Sequence, residues 1–85
     1  MVTLNSHLRS IVSQDGAVIL DIPHNALTTL NSTGAYIWER LQRGISSDAI
    51  AVELARDTGI DESTVAKDID EFIEQLQAKH LATGL

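Results

Sequence analysis

Apolar residues change their spacing near residue 30. Before it they come in short runs broken by turn formers, and after it they recur at steps of three and four residues. Leu8, Ile11 and Val12 belong to a run from Leu8 to Ser13 that is followed by Gln14-Asp15-Gly16. Asp-Gly between apolar runs predicts a hairpin, because glycine accepts the positive φ of a tight turn. Ala17-Val18-Ile19-Leu20 is a second strand. Pro23-His24-Asn25 marks the next reversal, with proline fixing φ and asparagine tolerating the left-handed region. Ala26 to Leu30 is a third strand, where Thr28 and Thr29 suit a half-exposed edge. Such short connections imply an antiparallel meander.

The remainder reads as three helices. Asn31-Ser32-Thr33 offers N-caps for the first, in which Ala35, Ile37, Trp38 and Leu41 hold helical spacing and Gly44 is the stop. Ser46 caps the second, Ile45 and Ile50 form its hydrophobic staple, Leu54 and Ala55 extend its apolar face, and Gly59 ends it. Asp61 caps the third, with Ile60 and Val65 as a second staple. Val65, Ile69, Phe72, Ile73 and Leu76 make one stripe on this helix, onto which Leu81 folds back. The predicted fold class is α+β, a three-stranded antiparallel sheet followed by three helices. It is winged helix-turn-helix-like, since Ala55, Gly59 and Val65 have the small–glycine–apolar spacing of a tight helix-turn-helix. No repeat or linker interrupts the 85 residues, which fit one domain, 1–85.

Charge then removes a function class. Twelve acids face six bases, a net charge of −6. A DNA-reading helix-turn-helix needs a basic second helix. Here Asp61, Glu62, Asp68, Asp70, Glu71 and Glu74 face only Lys67 between residues 61 and 78. Phosphate repels such a helix, so nucleic acid is not expected as a partner. The chain has no cysteine and hence no disulfide or thiolate site. No apolar run nears the ~20 residues that cross a bilayer, and Met1 to Ser10 does not read as a signal peptide. A cytoplasmic protein without a membrane partner is the expectation.

Catalytic chemistry finds no foothold. His7, His24 and His80 lie in different elements at no ligand spacing and read as ordinary surface residues, so neither metal nor cofactor is expected. Asp70 and Glu74 lie i and i+4 on a solvated face, whereas Asp68 and Glu71 flank the stripe and can rim a groove. No serine sits in a G-x-S-x-G elbow; Ser32, Ser46 and Ser63 stand at helix starts and read as caps. There is no glycine-rich phosphate loop. Trp38, beside Ile37 and Leu41, reads as core. The third strand is more informative, because Ala26 to Leu30 contains no Lys, Glu or Pro to guard an edge. An open edge beside an amphipathic helix suits an added peptide strand, and equally a dimer mate or the chain's own tail.

Taken in order, these residues resemble the PqqD-like family, the precursor recognition elements of ribosomally made, modified peptides. Leu30-Asn31 precedes a helix carrying Ala35-Tyr36-Ile37-Trp38, and Val65 through Leu76 follows V-x-x-D-V-x-x-F-L-x-x-L with conservative changes. The likeness extends over about residues 8 to 82 and takes in the PQQ biosynthesis protein D and the short B1 proteins of lasso peptide pathways. It implies a non-enzymatic protein that binds the leader segment of a precursor peptide as an added strand. It also implies a partner that modifies the peptide, such as a radical SAM protein or a leader peptidase. Carried to this chain, the edge is Leu27, Thr28 and Thr29, and the groove wall is Val65, Asp68, Ile69, Phe72, Gln75 and Leu76. Many relatives carry aromatic residues where this chain has Leu27-Thr28-Thr29. The acidic helix beside the groove implies a leader with Lys or Arg near the bound strand. A homodimer through the same edge, or a winged-helix regulator, is the alternative.

Overall fold

The computed structural model describes residues 3–83. Its elements run β1 (Thr3–Leu4), β2 (Arg9–Ser13), β3 (Gly16–Asp21), β4 (Ala26–Asn31), α1 (Ser32–Gln42), α2 (Ser47–Thr58), α3 (Glu62–Ala78) and β5 (Ala82–Thr83). The expected meander forms with β3 central, antiparallel to β2 and β4. Its first turn differs from expectation. Ser13 pairs with Gly16, so Gln14-Asp15 is the loop and the glycine opens β3. Gly16 is required for another reason: its φ is +156°, and a Cβ there would run into the Leu30 carbonyl of β4. At the second turn Asn25 does enter the left-handed region, with φ 51°.

Alternation along β3 shows which face is covered. Ala17, Ile19 and Asp21 are buried on the α1 side, while Val18 and Leu20 are partly open on the other. The helix caps follow the side chains. Asn31 accepts from the Gly34 N–H at 2.8 Å, Ser46 from Ala49 at 3.2 Å, and Asp61 from Ser63 at 3.1 Å. Of the three serines read as caps, only Ser46 is one; Ser32 and Ser63 lie inside the first turns of α1 and α3. Gly44 and Gly59 take φ of 79° and 74°, as helix stops do. Ile45 and Ile50 both join the core, whereas of the second pair Val65 is buried and Ile60 is 51% exposed.

Trp38, Ile19, Ile50, Ile69 and Leu76 are the largest fully buried side chains. Each contributes roughly 1.5–3 kcal/mol by leaving water. Between α1 and α2, Arg40 lies 3.4 Å over the Tyr36 ring and bridges Glu39 and Glu53, each at 2.9 Å. The Tyr36 hydroxyl donates to Asp57 at 3.3 Å. Burial, reinforced by Glu53, pushes the Tyr36 phenol up to about 12. At the chain ends β1 pairs with β5, a ribbon the sequence does not signal. His80 turns the chain with φ 61°, and Leu81 folds back so that its N–H bonds the Leu76 carbonyl at 2.8 Å. Among the described residues, no helix is long and apolar enough to cross a membrane.

Candidate functional site

Hairpin register determines which backbone groups of β4 are free. A two-residue loop is closed by a hydrogen-bonded pair, here Ser13 and Gly16. Such pairs alternate, so Gly16, Val18 and Leu20 bond toward β2, while Ala17, Ile19 and Asp21 bond toward β4. Their β4 partners are Leu30, Thr28 and Ala26. The N–H and C=O groups of Leu27 and Thr29 therefore point away from the sheet, along an edge that no strand covers among the described residues.

This edge runs directly into the cap of α1, since Asn31 ends β4 and caps the helix. There the chain leaves a shallow groove of about 260 Å³ between the first turn of α1 and α3. Asn31, Thr33, Gly34 and Ile37 line one side; Asp68, Glu71, Phe72 and Gln75 line the other. The lining carries two carboxylates and no basic residue. The groove thus offers an aromatic wall and a negative rim at the end of β4, where the open edge stops.

The profile of the family described as Coenzyme PQQ synthesis protein D (PqqD) matches residues 16–82. The chain belongs to the PqqD family. Two solved structures share its fold. One is TbiB1 in complex with the TbiA(beta) leader peptide, 24% identical with a TM-score of 0.90, covering 96% of this chain and 95% of that one. The other is lasso peptide synthetase B1 complexed with the leader peptide, 24% identical with a TM-score of 0.88, covering 98% of both chains. No curated protein matches the chain.

Within this PqqD-family frame the residues expected at the site divide clearly. Leu27 and Thr29 are exposed and their backbone faces the edge, while Thr28 bonds inward and is half-buried. Asp68, Phe72 and Gln75 line the groove together. Val65, Ile69 and Leu76 do not: they are 4%, 1% and 2% exposed and belong to the core behind it. All three are members of the buried cluster that holds Trp38 and Ile50, whereas Phe72 is only partly buried and packs against that cluster. Sequence reasoning missed Gly34. A glycine inside a helix costs up to about 1 kcal/mol relative to alanine, which signals a packing reason. The reason is proximity, since a Cβ at Gly34 would lie 3.2 Å from the Phe72 ring.

The histidines also depart from expectation. His7 Nε2 and His24 Nδ1 approach opposite oxygens of Asp21, at 3.3 and 2.8 Å. Burial pushes the Asp21 carboxyl up, but the His24 hydrogen bond and the two imidazoles outweigh it and hold the group below its ordinary value. Asp21 is the only charged side chain in the buried class among the described residues.

Proposed function

We propose that this chain is a non-catalytic, cytoplasmic recognition protein that captures the leader segment of a ribosomally synthesised precursor peptide. The leader pairs with the β4 edge through Leu27 and Thr29, and the chain presents it to a modifying enzyme such as a radical SAM protein or a leader peptidase. The observation that carries this reading is the open edge leading into the groove of Asp68, Phe72 and Gln75. Membership of the PqqD family supports it, as do two proteins of the same fold solved with leader peptides bound. Backbone pairing supplies affinity without demanding particular side chains on β4, and alternate leader side chains supply specificity. Asp68 and Glu71 favour a leader with Lys or Arg beside the bound strand.

The test is an amide NMR titration of the labelled protein with the leader half of the precursor encoded beside its gene. Expected are micromolar or tighter binding and shifts concentrated at residues 26–31 and 68–75. A leader with its basic residues changed to Glu binds more weakly. No shift at millimolar leader overturns the reading. A mass that doubles with concentration, with line broadening at the same residues, assigns the edge to a homodimer instead.

A further inference from the structure

We propose that His7, Asp21 and His24 form a binding site for a divalent transition-metal ion of the zinc type. The three residues come from different places in the chain: the loop between β1 and β2, the last residue of β3, and the β3–β4 turn. One nitrogen from each histidine and one carboxylate oxygen lie within 4.8 Å of one another. In a tetrahedral site with zinc bonds of about 2.1 Å, neighbouring ligand atoms are about 3.4 Å apart. His7 Nε2 stands 3.3 Å from one Asp21 oxygen and His24 Nδ1 2.8 Å from the other, so both imidazole nitrogens already reach the same carboxylate. Both imidazoles are open to solvent, 38% and 67% exposed, so their side chains can rotate to bring the three ligand atoms from within 4.8 Å to ligand spacing.

Electrostatics supports the same assignment. Asp21 is a buried carboxylate, and both of its described ion-pair partners are imidazoles. No lysine or arginine pairs with it among the described residues. A divalent cation compensates this buried charge and takes neutral histidine as ligand. Two imidazoles and one carboxylate suit zinc, cobalt or nickel better than calcium or magnesium. Both imidazoles are exposed, so solvent can reach the cluster and supply a fourth ligand. A bound ion would clamp the segment after β1 to the turn that begins the edge strand. The site stands apart from the groove and does not depend on peptide capture.

The test uses the intact chain, stripped with a chelator and titrated with Co²⁺ for its visible ligand-field absorption and with Zn²⁺ by calorimetry. Expected are one equivalent bound with a micromolar or lower dissociation constant, and a raised melting temperature with zinc. Loss of an outer-shell partner alone costs about 10- to 100-fold in metal affinity, so His7→Gln and His24→Gln each weaken binding at least that much. His80→Gln leaves it unchanged. Trp38 emission reports that the variants remain folded. No saturable binding at millimolar ion overturns the proposal, and so does an affinity that both His7→Gln and His24→Gln leave intact. Loss of binding in His80→Gln alone would place the ion elsewhere and equally refute it.

Discussion

Replacing Thr29 with proline removes an outward N–H of β4 and leaves the β3 ladder whole. The same change at Thr28 removes an inward one, because Thr28 pairs with Ile19 in the hydrogen-bonded register. For Thr29→Pro the loss falls on binding. One net hydrogen bond is worth about 0.5–1.5 kcal/mol, and a leader carbonyl left facing a pyrrolidine ring adds about 1–3 kcal/mol. A combined loss near 2 kcal/mol weakens the leader about thirtyfold. The fold should lose less than about 1 kcal/mol, since the free edge is where a sheet tolerates proline. For Thr28→Pro the loss falls on stability. The Ile19 carbonyl loses its partner in the middle of the ladder, at about 2–4 kcal/mol. At roughly 4–8 °C per kcal/mol for a domain of this size, the melting temperature falls by about 10 °C or more. Calorimetric titration with the leader and thermal melts followed by Trp38 emission measure the two effects separately. A folded Thr29→Pro that binds within twofold of the parent refutes strand addition at β4. A Thr28→Pro that melts within a degree or two of the parent refutes the register argument.

Three further outcomes follow from the packing. Gly16→Ala should cost about 2–4 kcal/mol in urea unfolding, because alanine neither favours a φ of +156° nor clears the Leu30 carbonyl. The single tyrosine, followed by its absorbance near 295 nm, should ionise near 12, and a midpoint near 10 would show that Tyr36 is not held between Arg40 and the α2 acids. Its folded value lies above the unfolded one, so its contribution to stability is lost as pH rises between the two. At the acid end Glu53 is held low by Arg40 and then Tyr36, and Asp61 by Ser63. Their folded values lie below the unfolded ones, so the stability they add is present above about pH 4.5 and lost as pH falls through the folded values. Melting temperature should stay level from pH 7 to about 5 and then drop, less steeply in Asp61→Asn; an identical drop in that variant would remove Asp61 from the account.

The elements were legible where one residue type performs one local task. Asn31, Ser46 and Asp61 cap helices because their side chains reach the nearby N–H groups, and Asn25 and Gly59 turn left because few residues do so cheaply. What stayed hidden depends on distant partners. Two-residue strands such as β1 and β5 have no period of their own and exist only through each other. The Asp15-Gly16 pair pointed to the right hairpin but the wrong loop, since Gly16 answers to the Leu30 carbonyl across the sheet. Periodicity placed Val65, Ile69, Phe72 and Leu76 on one stripe, yet it does not say where the core ends and the groove begins. The meeting of His7 with His24 requires the sheet to bring the β1–β2 loop beside the β3–β4 turn.

At Gly34 the edge strand and the groove meet. The place its Cβ would occupy lies 3.2 Å from Phe72, 3.3 Å from the Asn31 side-chain oxygen and 3.3 Å from Leu30. Those three atoms belong to α3, to the cap of α1 and to β4, so a missing methyl group marks the point where all three elements converge. An alanine here gains helix propensity, up to about 1 kcal/mol, but its methyl presses on a cap oxygen that is already bonded to the Gly34 N–H. Phe72, half-buried on α3, is the neighbour free to give way, and the direction open to it is the groove. A larger residue would therefore narrow the concavity without unfolding the sheet. Glycine at this position trades helix stability for the width of the groove beside Phe72.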